Sequence, residues 1–194
     1  MKTYELLGLI SGLLLIPVYW SYYLQTRKGE SVPNPATWLI WVVVMLFNGA
    51  TYTIMVDNWL EGFISITAPI LLLTSFIYFL TRRKFTKLGR TESIILMLTF
   101  LIGIVWKLTN ATVSNLCLQA ILAFSFWPTI KGLLWGDNKE KPLPWLIAVV
   151  AYGFTITANV INFNGDYAKL IFPLINGVIG NGSVAVIAII KNRK

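Results

Sequence analysis

Apolar residues in this chain gather into seven long runs, at roughly 5–25, 35–56, 59–81, 92–108, 112–134, 143–163 and 167–190. Most charged residues fall in the short stretches between these runs or near their ends. Crossing a hydrocarbon layer of about 30 Å takes roughly 20 apolar residues in a helix. Runs of this length that carry no period-two alternation read as membrane-spanning helices. The pattern therefore predicts an all-α membrane protein with seven transmembrane helices, of which the fourth is the shortest.

A spelling recurs inside the pattern. The second run opens Pro33-Asn34-Pro35-Ala36-Thr37-Trp38-Leu39-Ile40-Trp41-Val42-Val43, and the sixth opens Pro142-Leu143-Pro144-Trp145-Leu146-Ile147-Ala148-Val149-Val150. In each, Trp-Leu-Ile-x-Val-Val follows a Pro-x-Pro. An internal repeat decides architecture ahead of local propensity. The two copies are expected to be the second helices of two three-helix units, over residues 1–85 and 111–194. A three-helix unit ends on the face opposite its start, so a single linker helix, in residues 86–110, restores the orientation of the second unit. The expectation is two parallel three-helix bundles in a 3+1+3 order, enclosing a site near the midplane. Pro17 in the first helix then answers Pro128 in the fifth, and Pro69 answers Pro173.

Composition agrees with this class: of 194 residues, 56% are hydrophobic and 12% charged, against about a quarter charged in soluble domains. Histidine is absent and Cys117 is the lone cysteine. No Cys/His zinc cluster, internal disulfide or histidine-based catalytic unit can be assembled, so neither an enzyme nor a bound metal or cofactor is expected. The net charge of +8 would suit a nucleic-acid partner if it lay along one face, but the basic residues sit between apolar runs. With the amino terminus outside, thirteen of the sixteen Lys and Arg residues fall on the cytoplasmic side, as the positive-inside rule requires. An integral protein of the plasma (inner) membrane with a cytoplasmic carboxyl terminus is expected, its partners being the bilayer and a small solute.

Uncharged polar residues at membrane depth are costly unless paired or facing a wet cavity. Asn48 and Tyr52 share one face of the second helix, and Thr155 and Asn159 share one face of the sixth. Counted from Trp38 and Trp145, both pairs stand at plus ten and plus fourteen. They are candidates for the walls of a solute site, together with Gln119, Asn176 and Asn181. Asp57, Glu61, Asp137 and Asp166 fall at predicted helix ends, which leaves the spans without the ionisable residue that coupled carriers keep at depth. Pro17 and Pro128 are candidate hinges, and Trp38, Trp127 and Trp145 candidate gate residues or interfacial anchors. Gly8-Leu9-Ile10-Ser11-Gly12 permits close helix approach, within the chain or in a homo-oligomer. Asn110-Ala111-Thr112 spells a glycosylation acceptor.

A proline near the end of the first helix of each triplet (Ile16-Pro17-Val18-Tyr19-Trp20 and Phe126-Trp127-Pro128-Thr129), a basic loop, and a second helix opening with Trp resemble the PQ-loop superfamily. Its 3+1+3 members are the SWEET sugar facilitators. The spelling Pro35-Ala36-Thr37-Trp38-Leu39-Ile40-Trp41 is similar to that of bacterial seven-helix relatives of this superfamily. The resemblance implies a transporter, with Asn176 matching the asparagine of the last helix of the sugar facilitators. The chain departs at Pro17-Val18 and Pro128-Thr129, where the superfamily has Pro-Gln, and near Thr67, Ala68 and Pro69, where the third helix lacks the matching amide. The function expected is a uniporter for a small neutral polar solute, alternating access between the two bundles. The alternative is a non-transporting receptor or interaction protein on the same scaffold.

Overall fold

The computed structural model describes residues 1–33, 35–82, 89–136 and 138–192. The expected boundary at 85–86, and Asn34, Arg83, Lys84, Lys87, Asp137, Arg193 and Lys194, lie outside the described residues. The chain forms α1 (Thr3–Arg27), α2 (Pro35–Val56), α3 (Phe63–Arg82), α4 (Arg90–Leu108), α5 (Ala111–Ser125), α6 (Trp127–Trp135), α7 (Leu143–Ile161), α8 (Ala168–Phe172) and α9 (Gly182–Asn192), with a π-helix over Pro173–Asn181 between the last two. Strands are absent among the described residues. Seven helical stretches are long and apolar enough to cross a membrane, the fifth being α5 with α6 and the seventh running from α8 through the π-helix to α9. This is an integral membrane protein.

Local chemistry sets the ends. Proline fixes φ and has no N–H to leave unsatisfied, so it opens a helix well, and α2 begins on Pro35 while α7 carries Pro144 in its first turn. Asn110 caps α5 by accepting the Val113 N–H at 2.9 Å, so the side chain of the glycosylation spelling serves as a helix cap. Asp57, with φ of 56°, ends α2 in the left-handed region that Asp tolerates better than most residues.

Two stretches expected as single helices are interrupted. α5 stops at Ser125 and α6 starts at Trp127, because Pro128 has no N–H to offer the Phe124 carbonyl four residues earlier. Pro173 likewise leaves the Lys169 carbonyl without its helical partner, and the chain continues from there in π geometry. By contrast α1 passes unbroken through Pro17, on an exposed face.

Among the seven stretches, the most buried is α2 and the least is α4, at 61% against 17%. α2 therefore lies centrally, and α4 packs at the periphery against α2 and α5. α3 packs on both α1 and α2; the seventh stretch packs on both the fifth and α7. The two sets meet where α1 lies along α7 and where α2 lies along α5. Gly8 lets α1 approach the turn before α3 closely, since a Cβ there would stand 2.3 Å from the Leu60 carbonyl oxygen. The Gly8–Gly12 face is thus used inside the chain, against the residues that lead into α3.

Candidate functional site

Between α1, α2, α7 and the seventh stretch lies a cavity of about 70 Å³. Its wall is rich in aromatic rings: Tyr22, Trp38, Trp41, Phe126, Trp145 and Tyr152 all contribute. Four of these rings close on one another. Ring centroids stand 5.0 Å apart for Tyr22 and Trp38, 5.6 Å for Trp38 and Trp41, 5.9 Å for Trp41 and Trp145, and 6.1 Å for Trp145 and Tyr22. Tilted and edge-on pairs at these separations are favourable beyond their buried area. The box draws one residue from α1, two from α2 and one from α7, so it spans the repeat and contains both repeat tryptophans, Trp38 and Trp145.

The polar part of the wall comes from the π-helix. Widening the turn brings Asn176 and Asn181 both to the cavity, five residues apart as π geometry dictates. The Asn176 side-chain amide donates to the Tyr152 hydroxyl, and that of Asn181 donates to the Asn176 carbonyl. Each amide thus gives an N–H to the protein, and its side-chain oxygen accepts no hydrogen bond among the described residues.

Beside the box sits a carboxylate that reads in the sequence as one more loop charge. Glu140, between Lys139 and Lys141 in the loop before α7, is only 6% exposed. Tyr22 donates its hydroxyl to one carboxylate oxygen at 2.7 Å, and the Trp145 indole N–H approaches the other at 3.4 Å. Burial pushes its carboxyl up to about 7, and hydrogen bonds from Tyr22, Trp145 and Ser31 only partly offset that. The loop holding it is pinned to the α1–α2 loop, the Val32 N–H donating to the Lys139 carbonyl at 3.0 Å and the Lys141 N–H to Ser31 Oγ at 3.2 Å. Asn192 on α9 adds a bond to the Glu140 carbonyl at 2.9 Å.

The sequence-predicted residues divide into three groups. Asn176, Asn181, Trp38 and Trp145 reach the cavity. Asn48 and Gln119 join Asn115 and Thr51 in a buried amide cluster between α2 and α5: Gln119 Nε2 donates to Asn48 Oδ1 at 2.9 Å, and Asn115 Nδ2 donates to Asn48 Oδ1 at 3.1 Å and to Thr51 Oγ1 at 3.0 Å. Tyr52 and Asn159 bind each other and the freed Lys169 carbonyl, while the Thr155 hydroxyl is buried with no hydrogen-bond partner among the described residues. None of Asn48, Tyr52, Gln119, Thr155 and Asn159 is among the residues lining the cavity. Trp127 is half exposed and stands 6.0 Å from the Trp135 ring, away from the box. Pro17 is exposed and Pro128 half-buried, and neither lines the cavity.

Beyond the Tyr52–Asn159 pair a second buried acid appears. Glu61, in the turn before α3, accepts the Asn162 side-chain amide at 2.7 Å, and its carboxyl is raised by burial. Sequence reasoning missed Glu140, Asn115 and the cavity rings of Tyr22, Phe126 and Tyr152. Asn115 had a signal, since it lies four residues before Gln119 and so on the same helix face.

No family model, curated protein or solved structure matches the chain.

Proposed function

We propose that the chain is a membrane transporter, a uniporter that carries a small polar solute through the aromatic cavity between two parallel three-helix bundles. In this reading α4 is the linker of a 3+1+3 arrangement. The packing supports it: α3 between α1 and α2 is answered by the seventh stretch between the fifth and α7, and the α1–α7 contact is answered by α5 with α2. Exchanging the two units maps each contact onto its counterpart, as an axis along the membrane normal requires.

The observation that carries the function is the cavity itself, bounded by both repeat tryptophans and by two amides from a π-helix. Irregular backbone at membrane depth is tolerated where it is buried in protein or lines a cavity. With the basic end cytoplasmic, the paired loops around Val32 and Lys139 close the inner side, and the Tyr52–Asn159–Lys169 contacts brace the outer side. Rocking of one bundle against the other opens these in turn.

Solute uptake by proteoliposomes tests the reading. Wild-type protein is expected to give saturable flux that Asn176→Ala abolishes while the variant still folds. Ligand-dependent stabilisation with no flux for any bound solute would instead mark a receptor on the same scaffold.

A further inference from the structure

The walls of the cavity are unevenly suited to charge. No Lys, Arg, Asp or Glu lies among its lining residues, so a bound ion would meet no like charge there. The side-chain amides of Asn176 and Asn181 each give an N–H to the protein, and their oxygens accept no hydrogen bond among the described residues. The remaining wall is ring carbon and aliphatic side chains such as Leu15, Val18 and Met45. A polyhydroxylated neutral solute needs many donors and acceptors, and this mostly carbon wall offers few polar groups of either kind.

Glu140, when ionised, places a negative charge behind two of the rings. Its carboxylate is reached by the Tyr22 hydroxyl and the Trp145 indole N–H, and both of those side chains line the cavity. Donating to a carboxylate makes each ring more electron-rich, which strengthens its attraction for a cation. The ionisable groups on the elements around Glu140 do not neutralise it. Lys139 on its own loop is exposed and Lys141 is half-buried. Arg27, Lys28 and Glu30 at the end of α1 are exposed, and Lys191 on α9 donates to the Leu133 and Gly136 carbonyls. No ion pair to Glu140 forms among the described residues; its partners are the neutral donors Tyr22, Trp145 and Ser31.

We propose that the cavity takes a small organic cation, an alkylammonium group held against the rings of Tyr22, Trp38, Trp41 and Trp145 and balanced by the Glu140 carboxylate. Aromatic rings beside a desolvated cation are the general means of recognising quaternary ammonium groups. The inference rests on the transporter reading and replaces the neutral solute expected from the amides with a charged one. It has a thermodynamic corollary. A cation favours the ionised form of Glu140, which in its absence titrates near 7, so binding weakens as pH falls through that value.

The test is titration of tryptophan fluorescence in the purified full-length protein, with choline and its uncharged isostere 3,3-dimethyl-1-butanol, at pH 6 and pH 8. Choline is expected to bind saturably, about ten-fold more tightly at pH 8 than at pH 6. The isostere is expected to bind at least about ten-fold more weakly at pH 8 and without pH dependence. Glu140→Gln keeps the shape and removes the charge, and is expected to flatten the choline profile. Equal binding of the isostere at pH 8, a flat wild-type profile, or no choline binding overturns the proposal; the wild-type series decides alone if Glu140→Gln is not recovered folded. Flux separates the two readings. Glucose flux with no choline binding leaves a carrier for a neutral solute, whereas choline binding with flux of neither leaves a cation site on a protein that does not transport.

Discussion

Asn159 on α7 donates its side-chain amide to the hydroxyl of Tyr52 on α2 at 2.7 Å. The two residues stand at the same step of the repeat, fourteen beyond Trp38 and Trp145, and they meet each other. Both also reach the Lys169 carbonyl, Tyr52 at 3.0 Å and Asn159 at 2.9 Å. That carbonyl is available because Pro173, four residues on, has no N–H to give it. One proline in the seventh stretch thus creates the acceptor that ties α2 to α7.

Removing the hydroxyl tests this knot. Tyr52→Phe leaves the Lys169 carbonyl with Asn159 alone and costs about 1–2 kcal/mol of stability. Asn159→Leu costs a similar amount. A double-mutant cycle, measured by unfolding titration in mixed micelles, is expected to return a coupling of about 0.5–1.5 kcal/mol. Strict additivity of the two substitutions would show that the bond contributes nothing.

Two glycines distinguish close packing from simple helix content. A Cβ on Gly177 would stand 2.2 Å from the Tyr152 Cβ, whereas one on Gly153 meets nothing within 4 Å. Gly177→Ala therefore pushes the π-helix off α7 and is expected to cost about 1–3 kcal/mol. Gly153→Ala, in the interior of α7, is expected to be stabilising by up to about 1 kcal/mol through reduced backbone freedom in the unfolded chain. Thermal melts of the two variants in one detergent check both signs.

Seven spans were legible because an apolar run of the right length leaves the backbone little choice in a bilayer; the predicted 92–108 became Arg90–Leu108, and 35–56 became Pro35–Val56. The interruptions at Phe126 and Pro173 were signalled by Pro128 and Pro173, but whether proline bends, breaks or widens a helix depends on which neighbour takes the freed carbonyl. At Lys169 the carbonyl is taken by Asn159 on α7 and by Tyr52, more than a hundred residues away on α2. The repeat arithmetic paired Tyr52 with Asn159 and was blind to what the pair would do, since a polar match across two helices serves a bond as well as a wall. Glu140 was illegible for a different reason. Flanked by lysines in a loop, it reads as a solvated charge, and only the packing of Tyr22, Trp145 and Asn192 around it makes it a buried one.

The amide cluster and the cavity amides should separate by measurement. Gln119→Leu removes a donor from Asn48 and leaves a buried carbonyl oxygen with Asn115 alone, for a loss of about 1–2 kcal/mol. Neither residue lines the cavity, so any solute that stabilises the wild type is expected to stabilise Gln119→Leu by the same margin. Asn176→Ala is expected to do the reverse, with the ligand-induced shift lost and little fall in the ligand-free melting temperature. A Gln119→Leu protein that melts normally but no longer responds to solute would move the site from the cavity to the cluster.

Glu140 gives the stability of the protein a pH dependence whose sign is opposite to that of an ion-paired acid. Its carboxyl titrates near 4.5 in the unfolded chain and is raised to about 7 by burial in the folded one. Between those values the folded state holds more protons than the unfolded state, so stability falls as pH rises. At ~1.4 kcal/mol per pH unit, the contribution present below pH 4.5 and lost above pH 7 is on the order of 3 kcal/mol. Glu140→Gln mimics the protonated form at every pH. It is therefore expected to match the wild type near pH 4.5 and to be the more stable protein at pH 8, the gap opening across the interval between. Unfolding titrations of both proteins in the same micelle at several pH values resolve the gap directly. If Glu140→Gln is the less stable protein at pH 8, the carboxylate is held by its donors more strongly than burial penalises it, and Tyr22, Trp145 and Ser31 would then form a site built for the charged form.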